Sequence, residues 1–329
     1  MANTGRICAV GDGFYHVIVR TVARDFLLEK EGKKVLYKMV FNAADFGGIQ
    51  IITYCFLNNH LHLIVFVPQR CFVSDQELVK RLYYLYEKKK VKRILELWEY
   101  REKHHCGNVV RLEKDRYIER MYNLSDFVKT FKENFTQYYN RCHKGRIGTV
   151  WAGRFKSILL NGKPYLVLIV CLYVDLNPVR AKIKGVGIDS GRYAWSGIGA
   201  ALHGIPRAME GILMLGRLVG FANDNTSAED AVKRYHDMLL GKADGRIRAM
   251  LDAGFEVSEK DIRFAESLRG CHMTLFELLH CKCRCFENGR MLGDNAGEMI
   301  KIKNGHPCKS VIPGYYSANG LKKTVVEPR

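Results

Sequence analysis

An α+β fold follows from three features of the chain. Alternating apolar residues mark Phe14 to Val19 as a half-buried strand, and similar β-type patterns cover Gly48 to Leu57 and His60 to Val67. Helix-like spacing follows the first strand, from Arg24 to Asn42, and returns in longer stretches from Ser74 onward. The composition, 47% hydrophobic and 26% charged over 329 residues, permits a packed core and suits one large domain or two ordinary ones.

The first 68 residues thus read strand, helix, strand, strand. Asn58 and Asn59 join the second and third strands, and an Asn pair between two β-type runs marks a tight hairpin because Asn tolerates positive φ. Ser74 to Arg101 reads as one long charged helix, followed by a polar insertion to Arg120. An amphipathic helix is expected from Ser125 to Arg141, with Ser125 as its N-cap. Lys144 to Lys156 is basic and Gly-rich. Pro164 then opens an apolar helix to Asn177; proline suits a first turn, and Pro178 disfavours helix at the residue before it. Past Ala181 the chain turns small and Gly-rich, so a first domain is expected over residues 1–200. A mainly helical region follows over residues 201–329, with helices at Ala228 to Leu240 and Glu259 to Leu268 and weak periodicity in the last forty residues.

The 52 Lys+Arg against 34 Asp+Glu leave a net charge of +18, which points to a polyanionic partner, nucleic acid first. The longest apolar run, Tyr165 to Val174, is too short for a bilayer span of about 20 residues. The first residues lack the apolar segment of a signal peptide. Eleven scattered cysteines, an odd number, fit reduced thiols and a cytoplasmic setting. Cys281, Cys283 and Cys285 with His280 are the one cysteine cluster, but alternating thiols lack the two separated pairs of a zinc ribbon. Glu259 to Leu279, around Gly270, is compatible with a helix-turn-helix.

Three groups of residues carry chemistry. His60 and His62 open the third strand, where period-2 geometry turns both imidazoles to one face; they suit two ligands of one divalent ion, or two satisfied histidines at a strand edge. Tyr173 and Asn177, four apart in the apolar helix, share a face. Tyr122 to Lys184 holds 11 Lys+Arg against three acids, interleaved with aromatics that include Phe131, Phe155 and Trp151. Basic groups on phosphates with aromatics on unpaired bases hold single-stranded nucleic acid. Trp151 suits either a stacking platform or a core position.

Taken together, Tyr54-Cys55-Phe56-Leu57-Asn58-Asn59-His60-Leu61-His62-Leu63-Ile64-Val65 resembles the metal-binding strand of single-tyrosine HUH transposases, specifically the REP-associated tyrosine transposases. Phe14-Tyr15-His16-Val17, Asn140-Arg141 and Gly153-Arg154-Phe155-Lys156-Ser157 fit the same pattern. So do Tyr173-Val174-Asp175-Leu176-Asn177-Pro178-Val179-Arg180-Ala181, which is similar to the catalytic-tyrosine helix end, and Tyr193-Ala194-Trp195-Ser196. The matches run in order over residues 14 to 196. Asn58 stands where the family often has Pro, and residues 85 to 120 are longer than usual.

The resemblance implies a ferredoxin-like antiparallel sheet with helices on one face. It also implies a metal-dependent endonuclease and strand transferase that cleaves single-stranded or hairpin DNA through a 5′-phosphotyrosine intermediate. Tyr173 is then the nucleophile. His60 and His62 are ligands of Mg²⁺ or Mn²⁺, with Asn177 as a third. Arg141, Arg146, Trp151, Arg154, Lys156 and Arg180 are expected to hold the DNA, and family relatives occur as monomers and as homodimers. The competing expectation is a catalytically silent, sequence-specific DNA-binding or RNA-binding regulator on the same fold; retention of His60, His62, Tyr173 and Asn177 favours the enzyme.

Overall fold

The computed structural model describes residues 8–242 apart from residue 10 and residues 161–163, together with four short strand segments between residues 291 and 325. The expected helices over Glu259 to Leu268 and Glu259 to Leu279, and the cluster of His280, Cys281, Cys283 and Cys285, lie outside the described residues.

Four strands form the central sheet: β1 (Gly13–Arg20), β2 (Gln50–Phe56), β3 (His60–Val67) and β4 (Lys156–Leu160). Their order is β2-β3-β1-β4 with every neighbouring pair antiparallel, and Met291–Leu292 adds in parallel beyond β4. Helix α1 (Lys30–Gly47) connects β1 to β2, and α5 (Leu124–Cys142) precedes β4, which completes the ferredoxin-like βαββαβ order. Between β3 and α5 stand α2 (Asp75–Leu85), α3 (Lys88–Lys103) and α4 (Gly107–Glu119). After β4 come α6 (Pro164–Asp175), α7 (Asn177–Arg180), α8 (Gly197–Leu202), α9 (Pro206–Val219) and α10 (Ala228–Leu239).

The sheet sorts its side chains by alternation. Tyr15, Val17 and Val19 of β1 lie across from Val65, Leu63 and Leu61 of β3. On this face Tyr37 of α1 sits edge-on to Tyr54 and Phe56, and α5 lies alongside α1. The opposite face carries His16, Ile18 and Arg20, across from Ile64, His62 and His60.

Helices therefore cover both faces rather than one. The ferredoxin-like pair α1 and α5 accounts for the first face, and the apolar α6 with α8, α9 and α10 covers the second. Among the helices described, α6 is buried nearly all round. Gly211 lets α9 approach the backbone of β2, because a methyl group there would collide with the carbonyls of Ile51 and Ile52. Residues 206–239 thus belong to the same core as the sheet. The boundary expected at residue 200 does not divide it; that stretch of small residues serves close packing.

The long helix expected from Ser74 breaks at Tyr86 and Glu87, both extended, into α2 and α3, and the stretch to Arg120 is mostly helical. These three helices gather a second cluster, with Leu78, Leu82, Val91, Trp98 and Val110, that meets the rest of the fold through Phe46 of α1. α1 stops at Gly48, whose φ of +63° and tight surroundings of Arg81 and Tyr122 admit no side chain. α5 is capped by Asn123, whose side-chain oxygen accepts from the amides of Ser125 and Asp126, so the cap falls two residues before Ser125.

One buried carboxylate joins the sheet to the later helices. Asp175, at the end of α6, accepts from Thr53 Oγ1 of β2 at 2.7 Å, from the Tyr235 hydroxyl of α10 at 2.8 Å and from the Ile198 amide of α8 at 3.0 Å. Burial lifts its pKa to about 6, outweighing the hydrogen bonds that pull it down from an ordinary 3.8. Folding therefore favours the protonated acid. Its contribution to stability is complete below about pH 4 and is lost as pH rises toward 6. Asp175→Asn stays neutral throughout, so the unfolding free energy of wild type minus variant should fall by roughly 3 kcal/mol between about pH 4 and pH 7. Denaturant melts across that range check it, and a flat difference contradicts it.

Candidate active site

The hairpin between β2 and β3 closes with the Leu57 amide donating to the His60 carbonyl at 2.9 Å. Neither Asn58 nor Asn59 adopts the positive φ expected of them; their side chains, not their backbone tolerance, explain the pair. Asn58 Oδ1 accepts from Lys33 Nζ at 2.5 Å, and the same ammonium donates to the Tyr193 hydroxyl at 2.9 Å. Tyr193 in turn donates to the Phe56 carbonyl at 2.7 Å. Burial draws the pKa of Lys33 below the usual lysine range. The departure from Pro at position 58 thus gives a buried lysine its acceptor.

Asn59 fixes the state of His60. Its Nδ2 donates to the Arg24 carbonyl at 3.2 Å, which turns Oδ1 toward His60 Nδ1 at 2.6 Å. A carboxamide oxygen only accepts, so His60 carries a proton on Nδ1, the tautomer that in the neutral ring leaves the lone pair on Nε2. His62 is fully buried, with its ring centroid 5.0 Å from that of His60. Its Nδ1 lies 2.9 Å from His16 Nε2, and its own Nε2 has no hydrogen-bond partner among the described residues. Burial first, then the neighbouring His16 and His60, holds His62 well below the usual histidine pKa and so neutral.

A buried, unpartnered ring nitrogen beside a second imidazole fits a divalent ion that keeps open positions for other oxygens. Among the described residues no group of three His, Cys, Asp or Glu side chains is placed to hold a metal. The fit therefore rests on two nitrogens.

Tyr173 lies in α6 on the histidine face, its ring edge-on to His16 at 6.3 Å between centroids. It is 1% exposed. The Arg180 guanidinium covers the ring at 3.8 Å, and Arg180 Nη2 donates to the Tyr173 carbonyl. Arg180, expected on DNA, is thus engaged with Tyr173. Asn177 does share the end of the helix with Tyr173, as its spacing requires. However, its Nδ2 donates to the carbonyls of Tyr173 and Val174 at 3.3 and 3.1 Å, which caps the helix end. No hydrogen bond joins Asn177 to either histidine, so the structure brings His60, His62 and Tyr173 to one face and leaves Asn177 as a cap.

The basic and aromatic segment divides by burial. Arg141, Arg154 and Lys156 are exposed. The β1 register places Lys156 across from Ile18, which in turn faces His62, so the Lys156 position shares the histidine face. Arg146 is half-buried; it donates to Asn140 Oδ1 at 3.1 Å and covers the Tyr139 ring at 5.1 Å, while His143 stacks on Tyr139 at 3.9 Å. Trp151 belongs to the core. It is 2% exposed, packs on Phe135 at 5.4 Å and donates from Nε1 to the Lys132 carbonyl at 2.9 Å. The stacking role expected of it therefore gives way. Beside it, Lys129, Lys132, Thr136, Gln137, Arg154 and Phe155 line an open groove.

Sequence reasoning singled out neither Lys33 nor Asp175, and it met His16 only inside a longer phrase. Alternation puts His16 on the same face of β1 as Ile18, but only the β1–β3 register, which the sequence does not carry, sets Ile18 across from His62.

Among the described residues, Cys55, Cys71, Cys106, Cys142 and Cys171 are free thiols. No helix among the described residues is long and apolar enough to cross a membrane. No curated protein matches the chain. A solved structure of the REP-associated tyrosine transposase bound to a REP hairpin superposes with a TM-score of 0.39 at 14% identity, covering 63% of this chain and 90% of that one. The family model described as Transposase IS200 like matches residues 9–108, and Tyr173 lies beyond it. Over residues 9–108, which carry the first three strands and both ligand-type histidines, the chain is therefore similar to the IS200-like transposases.

Proposed function

We propose that this protein is a single-tyrosine DNA strand transferase that cleaves single-stranded or hairpin DNA. The observation that carries the reading is the placement of two imidazoles, that of His62 neutral and with an unpartnered buried Nε2, on the sheet face against which Tyr173 packs. The match of residues 9–108 to IS200-like transposases and the net charge of +18 support it.

His60 and His62 would hold the ion through Nε2. When bound, Mg²⁺ or Mn²⁺ neutralises charge on the scissile phosphate. Tyr173 Oη attacks phosphorus as the bond to the 3′ oxygen breaks, and the phenolic proton is balanced on the released 3′-hydroxyl. One phosphodiester replaces another, so rejoining requires no nucleotide cofactor. Attack requires Arg180 to leave the Tyr173 ring, and a phosphate offers its guanidinium a better partner than a phenol face. Exposed Arg141, Arg154 and Lys156 track the backbone, and Phe155 in the adjoining groove supplies a stacking surface.

Incubation with labelled hairpins and Mn²⁺, followed by denaturing gels, should reveal a covalent adduct. Tyr173→Phe should abolish it while hairpin affinity changes less than about twofold; an adduct that moves instead to Tyr138 or Tyr139 overturns the assignment. Tight hairpin binding with no adduct in wild type would favour a silent binder.

Neutralising Arg141, Arg154 and Lys156 together should weaken binding to all hairpins alike. It should also flatten the log–log salt slope by about 0.7 for each lost phosphate contact, which titrations at several salt concentrations measure. Trp151→Ala should cost about 3 to 5 kcal/mol of stability and weaken binding only in proportion to unfolding. Normal thermal melting of that variant would show that Trp151 is not core.

A further inference from the structure

The roles assigned above leave His16 unused, yet among the described residues it is the only side chain hydrogen bonded to His62. Both rings are fully buried and stack at 5.1 Å between centroids. His16 pairs with Ile64 and so reaches His62 on the diagonal of the β1–β3 ladder, a span that a ring can bridge.

Of the two facing nitrogens one donates and the other accepts, and the His62 ring is neutral, which leaves two arrangements. If His16 Nε2 donates, His62 must carry its proton on Nε2. That N–H would be buried with no acceptor among the described residues, and it would have no lone pair to offer an ion. If His62 Nδ1 donates, its Nε2 lone pair faces the site and His16 keeps its own proton on Nδ1. His60 is already fixed in the second way by Asn59. Ligand histidines commonly donate their second ring N–H to an acceptor of the protein. His60 has a carboxamide for this purpose, and His62 has His16.

We propose that His16 is the positioning residue for His62, accepting from its Nδ1–H and so presenting Nε2 as the second nitrogen ligand of the divalent-ion site. The ligand half rests on the metal-dependent reading above, whereas the tautomer belongs to the metal-free chain. His16→Phe fills the site without an acceptor, and His16→Gln restores one through Oε1.

Histidine-selective ¹⁵N NMR of the metal-free protein reads the ring tautomers, and calorimetry with Mn²⁺ alone reads affinity. Wild type should show His62 protonated on Nδ1. His16→Phe should shift that proton toward Nε2 and weaken Mn²⁺ binding about 10- to 100-fold, with His16→Gln recovering most of the loss and metal-free hairpin binding unchanged in both. A wild-type His62 protonated on Nε2 overturns the proposal without any variant. A folded His16→Phe with wild-type Mn²⁺ affinity overturns it too, leaving the proposed function intact. Wild type that binds no Mn²⁺ defeats the metal-dependent reading and the ligand half with it, while the ring spectra still decide whether His16 sets the tautomer.

Discussion

The antiparallel pairing of β1 with β3 fixes which side chains can ever meet in this molecule. Side chains alternate with a period of two, so a register in which Ile18 faces His62 sends Tyr15, Val17 and Val19 into one core and His16 and Arg20 to the other side. A slip of one residue would bury Arg20 among the aromatics of α1 and turn His16 away from His62. The apolar demand of the first face therefore holds the polar geometry of the second, and the histidines inherit their alignment from residues that do no chemistry.

The second face is closed by elements that arrive late in the chain. Asp175 ties the end of α6 to β2, α8 and α10 at once, so the helix that carries Tyr173 is oriented by residues up to Tyr235. Three donors on one buried carboxylate give a stiff junction two residues from the phenol. Arg180, on the far side of the short break after Asp175, is the adaptable counterpart. Its contacts to Tyr173 are a ring face and a carbonyl, both of which a phosphate can replace. The arrangement is rigid where position matters and exchangeable where access matters.

Local signals carried much of this into the sequence. The strands, the hairpin and the pair His60 and His62 were legible because alternation and a two-residue turn are encoded within a few positions. Tyr173 and Asn177 were legible as a spacing, but the use of the Asn177 amide as a cap depends on the break at Leu176, which no periodicity shows. Trp151 misled because the glycines around it hide a core position made by Phe135 and Lys132, far away in sequence. Lys33, Asp175 and the His16–His62 contact were illegible for the same reason: their partners are 23 to 160 positions distant. The inserted helices broke the expected pattern because Tyr86 and Glu87 interrupt a stretch that is otherwise uniformly helix-forming.

The ammonium of Lys33, enclosed between the hairpin turn and Tyr193, gives the fold an internal chemical reporter. Among the described lysines it is the buried one, so an amine-acylating reagent that marks the surface lysines within seconds has to wait for this one until the hairpin lifts from α1. The labelling rate at Lys33, read by peptide mass, therefore counts excursions of the strand that bears His60 and His62. It does so in the intact chain, without a dye, a substitution or any assay of DNA.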